Sequence, residues 1–164
     1  MARFSMDKEI AMTKVEGSII VPAPVHDVFT YASDYTRWSD WFAGVSDFRP
    51  VTEVARGNGA RYAYKAKLMG LTAAFETEIS EFAEDKGWKG TSRKGMSHRT
   101  TWAFEPHGEY TRFTYALEYR LPVPVLGGLI DALFLKRQWR RIIAKSLDNL
   151  RLHFTPPRAR AAKP

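Results

Sequence analysis

The run VPAPVHDVFTYASDYTRWSDW, residues 21–41, decides how the rest of the chain is read. Pro22 stops the strand that precedes it, residues 13–21. Pro24 suits the first turn of a helix, where a missing backbone N–H costs nothing. Val25, Val28, Phe29 and Ala32 then recur at helical spacing on one narrow face. Ser33 or Asp34 can cap a second short helix that carries Tyr35, Trp38 and Trp41.

Downstream the periodicity changes from 3.6 to 2. Gly57-Asn58-Gly59 marks a turn between strands near 45–55 and 60–68. Met69-Gly70 marks the next, and Gly87, Gly95 and His107-Gly108 divide the remainder into strands near 71–83, 87–93, 98–106 and 110–120. If Met69 and Gly70 form a two-residue loop, Leu68 faces Leu71, Tyr64 faces Phe75 and Tyr62 faces Thr77. One face of that hairpin is then aromatic, while the other sets Lys65 and Lys67 beside Ala74 and Glu76. The alternation continues with His98, Thr100, Trp102 and Phe104 on one face, and Phe113, Tyr115, Leu117 and Tyr119 on one face of the following strand. This predicts a curved antiparallel sheet with one wet face and one aromatic, concave face.

The last element reads as a helix from about 126 to 154. Trp139, Ile142, Ile143, Leu147, Leu150 and Phe154 fall on one side, and Lys136, Arg137, Arg140, Arg141, Lys145, Asp148 and Arg151 on the other. Its first portion, with Leu126, Leu129, Ile130, Leu133, Phe134 and Leu135, is apolar nearly all round. Such a stretch is expected to be enclosed, or to touch a ligand, lipid or another subunit.

Composition bounds the answer. A chain of 164 residues is one ordinary domain. There is no Cys, which excludes disulfides, Cys-ligated zinc and a thiol nucleophile. The longest apolar stretch, 121–135, contains two prolines, two glycines and Asp131, and is too broken to span a bilayer. The net charge of +7 is unevenly placed: from Lys136 onward nine Lys or Arg stand against Asp148, while the first 135 residues carry 16 basic and 17 acidic side chains. A solvated basic helix face and tail account for this better than a nucleic-acid surface. The N-terminal residues have no apolar h-region, so a cytoplasmic protein is expected. Residues 1–12 read as a flexible leader, 13–154 as a single ligand-binding domain and 155–164 as a disordered basic tail.

The order strand, two short helices, six strands and one long helix, together with Pro22, Ala23, Pro24, Val25, Val28, Phe29, Asp34, Tyr35, Trp38 and Trp41, resembles the SRPBCC superfamily. That group includes START-like lipid carriers and the polyketide cyclase/dehydrase families. The resemblance extends over about residues 13–153 and is carried mostly by packing positions. It implies an α+β helix-grip (START/Bet v 1-like) fold, in which a seven-stranded sheet wraps a C-terminal helix and leaves a cavity for an apolar ligand.

No nucleophile elbow, zinc-helix motif, P-loop or dinucleotide fingerprint occurs, and no His pair has metal-ligand spacing. No cofactor and no metal are expected. The residues that alternation turns toward the interior are Tyr62, Tyr64, Phe75, Thr77, His98, Trp102, Phe113 and Tyr115. Leu129, Ile130, Leu133 and Phe134 are expected to close the opening. On the concave face His98 can hold a polar ligand group or move a proton, although a solvated position at the strand end is the plainer expectation. Glu76 and Glu78 share a strand face and can divide acid and base roles; exposed pairing near Lys65 explains them more simply. Trp38 and Trp41 either border a cavity mouth or lock the short helices onto the sheet. The function expected is binding of a hydrophobic small molecule, lipid, quinone or polyketide-like, as carrier or sensor. A polyketide cyclase/aromatase and a lipid- or quinone-linked assembly factor are the alternatives. Apart from that ligand, the partner expected is an anionic membrane surface, touched weakly; the oligomeric state is left open.

Overall fold

A computed structural model describes residues 12–121 and 129–157, with 129–131 as helix backbone only. Strand β1 (Thr13–Val21) leads into helix α1 (Val25–Ser33), a 3-10 turn (Tyr35–Arg37) and helix α2 (Trp38–Trp41). Six strands follow: β2 (Val45–Pro50), β3 (Arg61–Leu68), β4 (Leu71–Ala83), β5 (Gly87–Lys94), β6 (His98–His107) and β7 (Tyr110–Tyr119), then helix α3 (Leu129–Phe154). The sheet is antiparallel throughout, in the order β1-β7-β6-β5-β4-β3-β2, and it curves into a half-barrel around the long helix. This is the helix-grip architecture.

Local chemistry places the short elements. Pro24 stands at the N-cap of α1, whose buried face is Val28, Phe29, Ala32 and Ser33. The Asp34 carboxylate accepts from the Thr36 backbone N–H at 2.9 Å and starts the 3-10 turn. The Trp38 indole N–H donates to the Ala32 carbonyl at 2.7 Å, which folds α2 back against α1.

The β3–β4 hairpin has the register expected: Leu68 opposite Leu71, Tyr64 opposite Phe75 and Tyr62 opposite Thr77. Its two loop residues, Met69 and Gly70, both have positive φ (51° and 79°), as a two-residue turn matching the twist of the strands requires. Strand β2 is shorter than the sequence suggests. It is interrupted by a register shift between Ser46 and Arg49 and ends at Pro50, beyond which Thr52 turns back on its own chain, donating to the Val54 carbonyl.

Helix α3 buries Leu135, Trp139, Ile143, Leu147 and Leu150 against the sheet. It can lie directly on β1 because Gly17 has no side chain: a Cβ there would come within 2.9 Å of Ile143 and Leu147. Ser146 and Asn149 tie it to the α2 region, Ser146 Oγ accepting from the Ala43 N–H and the Asn149 amide donating to the Trp41 carbonyl. At its other end Gln138 accepts from the Met69 N–H at 2.9 Å and donates to the Lys67 carbonyl at 3.2 Å, clasping the β3–β4 turn to the helix.

The apolar start of α3 differs from expectation. Leu133 and Phe134 are 60% and 55% exposed. The face that meets the sheet at this level is set by Leu135 and Trp139, so residues one and two positions earlier project away from it. Leu126 and the helix start expected there lie outside the described residues, as do residues 1–11, 122–128 and 158–164. Among the described residues no helix is long and apolar enough to cross a membrane.

Candidate functional site: an aromatic cavity with a polar cluster

Between the concave face and α3 lies a cavity of about 60 Å3, measured as the space open to the centre of a water-sized sphere. That is room for a few waters or one small ring. Strands β3 to β7 supply Tyr62, Tyr64, Phe75, Ile79, Trp88, Trp102, Tyr115 and Leu117; α2 and the segment after it supply Trp38, Phe42, Val45 and Phe48; and α3 supplies Trp139. The rings pack around Trp102, which stacks on Trp88 at 4.6 Å and meets Trp38, Trp41, Phe42, Phe113 and Tyr115 edge-to-face or tilted at centroid distances of 5.2–6.0 Å. Gly90 lets the wall residues Thr77 and Thr100 pack close over β5, since a Cβ there would sit 2.4 Å from Thr100 Oγ1 and 2.7 Å from the Thr77 methyl.

One wall is polar. His98, only 3% exposed, has its Nδ1 2.8 Å from the Met96 carbonyl. A carbonyl can only accept, so Nδ1 carries a proton. The other ring nitrogen, Nε2, is 2.8 Å from Thr77 Oγ1 and 3.1 Å from the Tyr64 hydroxyl, and those two oxygens are 3.0 Å apart. Burial pushes the His98 imidazole below its ordinary value, with the Met96 bond opposing it, so the ring is neutral at neutral pH and Nε2 is an acceptor. Burial pushes the Tyr64 phenol up to about 12, although its bond to Thr77 works the other way. Tyr115 is raised well above the usual phenol range, chiefly by burial and secondarily by Tyr64.

The structure therefore brings together Tyr62, Tyr64, Phe75, Thr77, His98, Trp102 and Tyr115 of the residues singled out from the sequence. It separates the others. Phe113 is fully buried, stacked on Phe104 at 4.5 Å, and belongs to the solid core rather than the cavity wall. Leu133 and Phe134 face outward and do not close the opening. The side chains of Leu129 and Ile130 lie outside the described residues. The solvated position expected for His98 is overturned: Tyr64 of β3 and Phe75 and Thr77 of β4 reach it across the curve of the sheet. Trp38 borders the cavity and also locks α2 to α1, whereas Trp41 only packs. Glu76 and Glu78 lie outside the cavity. Glu78 is held by Arg61 at 2.6 Å and Arg93 at 3.0 Å, its carboxyl kept below the usual range first by the Arg93 bond and then by Arg61. Lys65, the partner expected for these carboxylates, pairs instead with Asp47 at 2.9 Å.

Sequence reasoning did not place Phe42, Val45, Phe48, Met96 or Trp139 in the wall. Phe42 and Met96 sit between regular elements, where periodicity carries no information about direction. Trp139 was legible as part of the buried face of the helix, but nothing in its spacing shows that the sheet leaves space beneath it. Its indole N–H, like the indole N–H of Trp41 and the hydroxyl of Tyr119, is buried without a hydrogen-bond partner.

Comparison with known proteins agrees with this architecture. The family model described as polyketide cyclase / dehydrase and lipid transport matches residues 12–155. Among solved structures, TTHA0849 from Thermus thermophilus is similar over 92% of this chain and 100% of its own, at 24% identity and a TM-score of 0.75. A START superfamily protein from Mycobacterium smegmatis matches over 87% of this chain and 99% of its own, at 17% identity and a TM-score of 0.70. The di-domain ARO/CYC StfQ from the steffimycin biosynthetic pathway matches over 93% of this chain and 53% of its own, at 19% identity and a TM-score of 0.67. These identities speak to the fold alone. No curated protein sequence matches the chain.

Proposed function

We propose that this chain, which belongs to the polyketide cyclase / dehydrase and lipid transport family, binds a hydrophobic small molecule between its sheet and α3 and acts as its carrier or sensor. The observation that carries the reading is the cavity itself: a mostly aromatic space with Tyr64, Thr77 and His98 clustered on one wall. Burial of ligand carbon there supplies affinity at about 25 cal/mol per Å2 before the costs of ordering, and the polar wall fixes orientation. A space of about 60 Å3 suits a single ring. A larger guest requires the cavity to widen.

Binding is directly observable, because four of the five tryptophans (Trp38, Trp88, Trp102 and Trp139) line the space. Native mass spectrometry of the purified protein should show a co-purified apolar compound, and adding apolar ring compounds should change tryptophan emission saturably. Absence of both would overturn the proposal.

A polyketide cyclase is the second reading, favoured by one observation: a neutral His98 bonded to the Tyr64 hydroxyl inside an enclosed space. Against it, no Lys, Arg, Asp or Glu among the described residues lines the cavity, so no full charge is at hand to stabilise an enolate. Incubation with a reactive poly-β-carbonyl compound distinguishes the two. The carrier reading expects cyclised product at the uncatalysed rate, with or without His98.

A further inference from the structure

The polar wall can be read for the chemistry of the guest, an inference that rests on the cavity being a ligand site. The Tyr64 oxygen, the Thr77 oxygen and His98 Nε2 form a triangle with edges of 2.8, 3.0 and 3.1 Å. Only two protons are available for its three edges, one on each hydroxyl, because the imidazole proton is committed to the Met96 carbonyl. One proton must go to the single lone pair of Nε2; the other closes the contact between the hydroxyls. Whichever way round this is arranged, the cluster has no donor to spare and keeps one hydroxyl oxygen able to accept.

A complementary donor is Tyr115. Its side chain is buried and lines the same cavity as Tyr64, Thr77 and His98; its hydroxyl makes no hydrogen bond to any described residue. The cavity thus offers an acceptor at the Tyr64–Thr77 pair and a donor at Tyr115, beside the Thr100 hydroxyl and the unpartnered Trp139 indole N–H, with no charge of either sign. A carboxylate or ammonium entering here would lose its hydration and meet no counter-ion. A hydrocarbon would leave the Tyr115 hydroxyl unpaired in place of water.

We infer that the cavity selects an uncharged, ring-bearing guest with a hydroxyl, which accepts from Tyr115 and donates to the Tyr64–Thr77 pair. Phenol, toluene and benzoate are near-isosteric single rings that separate the possibilities, titrated into the whole protein at pH 7.5 by calorimetry and tryptophan emission. Toluene leaves water more readily than phenol, so any preference for phenol must come from hydrogen bonds. Phenol should bind about tenfold or more tightly than toluene, the value of one or two such bonds, and benzoate should not bind. In Tyr115→Phe the phenol–toluene gap should close while toluene binding is retained. If toluene binds as tightly as phenol, or benzoate competes, the inference fails and the apolar-cavity reading stands. If none of the three binds and no compound co-purifies, the cavity reading itself fails and takes the inference with it.

Discussion

The triangle on the polar wall makes a quantitative prediction about stability. Thr77→Val and Tyr64→Phe each remove one hydroxyl while keeping the shape of the side chain. Because the two oxygens lie 2.8 and 3.1 Å from the same nitrogen, either can occupy the lone pair of Nε2 when the other is gone. Each single substitution should therefore cost only the net value of one buried hydrogen bond, about 0.5–1.5 kcal/mol. The double variant leaves Nε2 buried with no partner, at a further desolvation cost of about 1–3 kcal/mol. Its loss should exceed the sum of the two single losses by about 1–3 kcal/mol, a coupling well outside the roughly 0.5 kcal/mol scatter of independent sites. In a domain of this size that coupling corresponds to about 2–4 °C of melting temperature per kcal/mol. Urea unfolding at pH 8, where His98 is neutral, measures all four corners of the cycle. Additivity within about 0.5 kcal/mol would refute the reasoning, because it would mean that Nε2 draws its proton from elsewhere, such as a water held in the cavity.

Three further outcomes follow from the same geometry. Burial holds the His98 imidazole below its ordinary value of 6.5, so on acidification the unfolded chain takes up that proton before the folded one. The contribution is complete above about pH 6.5 and is lost as pH falls below it, at up to about 1.4 kcal/mol per pH unit; the unfolding midpoint should drop between pH 7 and 5, and His98→Gln should flatten that drop, an equal slope in the variant counting against the assignment. Gly87→Ala should cost more than about 3 kcal/mol, because φ there is 136° and a Cβ would meet the Trp102 carbonyl oxygen at 1.8 Å; a soluble variant with an unchanged melt would contradict the register of β5 against β6. Leu133→Ser and Phe134→Ser should each leave the melting free energy within about 0.5 kcal/mol of the parent, whereas a larger loss would show that these exposed side chains pack against something.

The sheet was legible because its signals are local and redundant. Turn glycines and strict alternation independently gave the β3–β4 register, and the same alternation put His98, Thr100 and Trp102 on one face, where they meet Tyr119, Leu117 and Tyr115 of the next strand. What alternation cannot convey is depth. It placed Phe113 and Tyr115 on one face, yet Phe113 lies where the rings of Phe104, Trp102 and Trp41 fill the interior, while Tyr115 reaches the gap. It put His98 at the end of a strand, where solvent is the ordinary neighbour. The burial comes from side chains of other strands, Tyr64 and Thr77, which no window of sequence around His98 contains. The helix posed the opposite problem: a run of apolar residues implied enclosure, and the buried face set by Leu135 and Trp139 left Leu133 and Phe134 turned out to water.

The pairing of β1 with β7 has a consequence for how the molecule assembles. Thr13 meets Tyr119 and Val21 meets Thr111, so the first strand waits for its neighbour until about a hundred residues have been made. Strands β2 to β7 can zip as successive hairpins while translation proceeds, but the stave that completes the vault precedes them in the chain and the beam that roofs it follows them. Until both arrive, the row of rings from Trp88 to Tyr115 stands open to water. Distant pairings of this kind slow the final closure, and the nascent chain is at its stickiest just before the last helix leaves the ribosome.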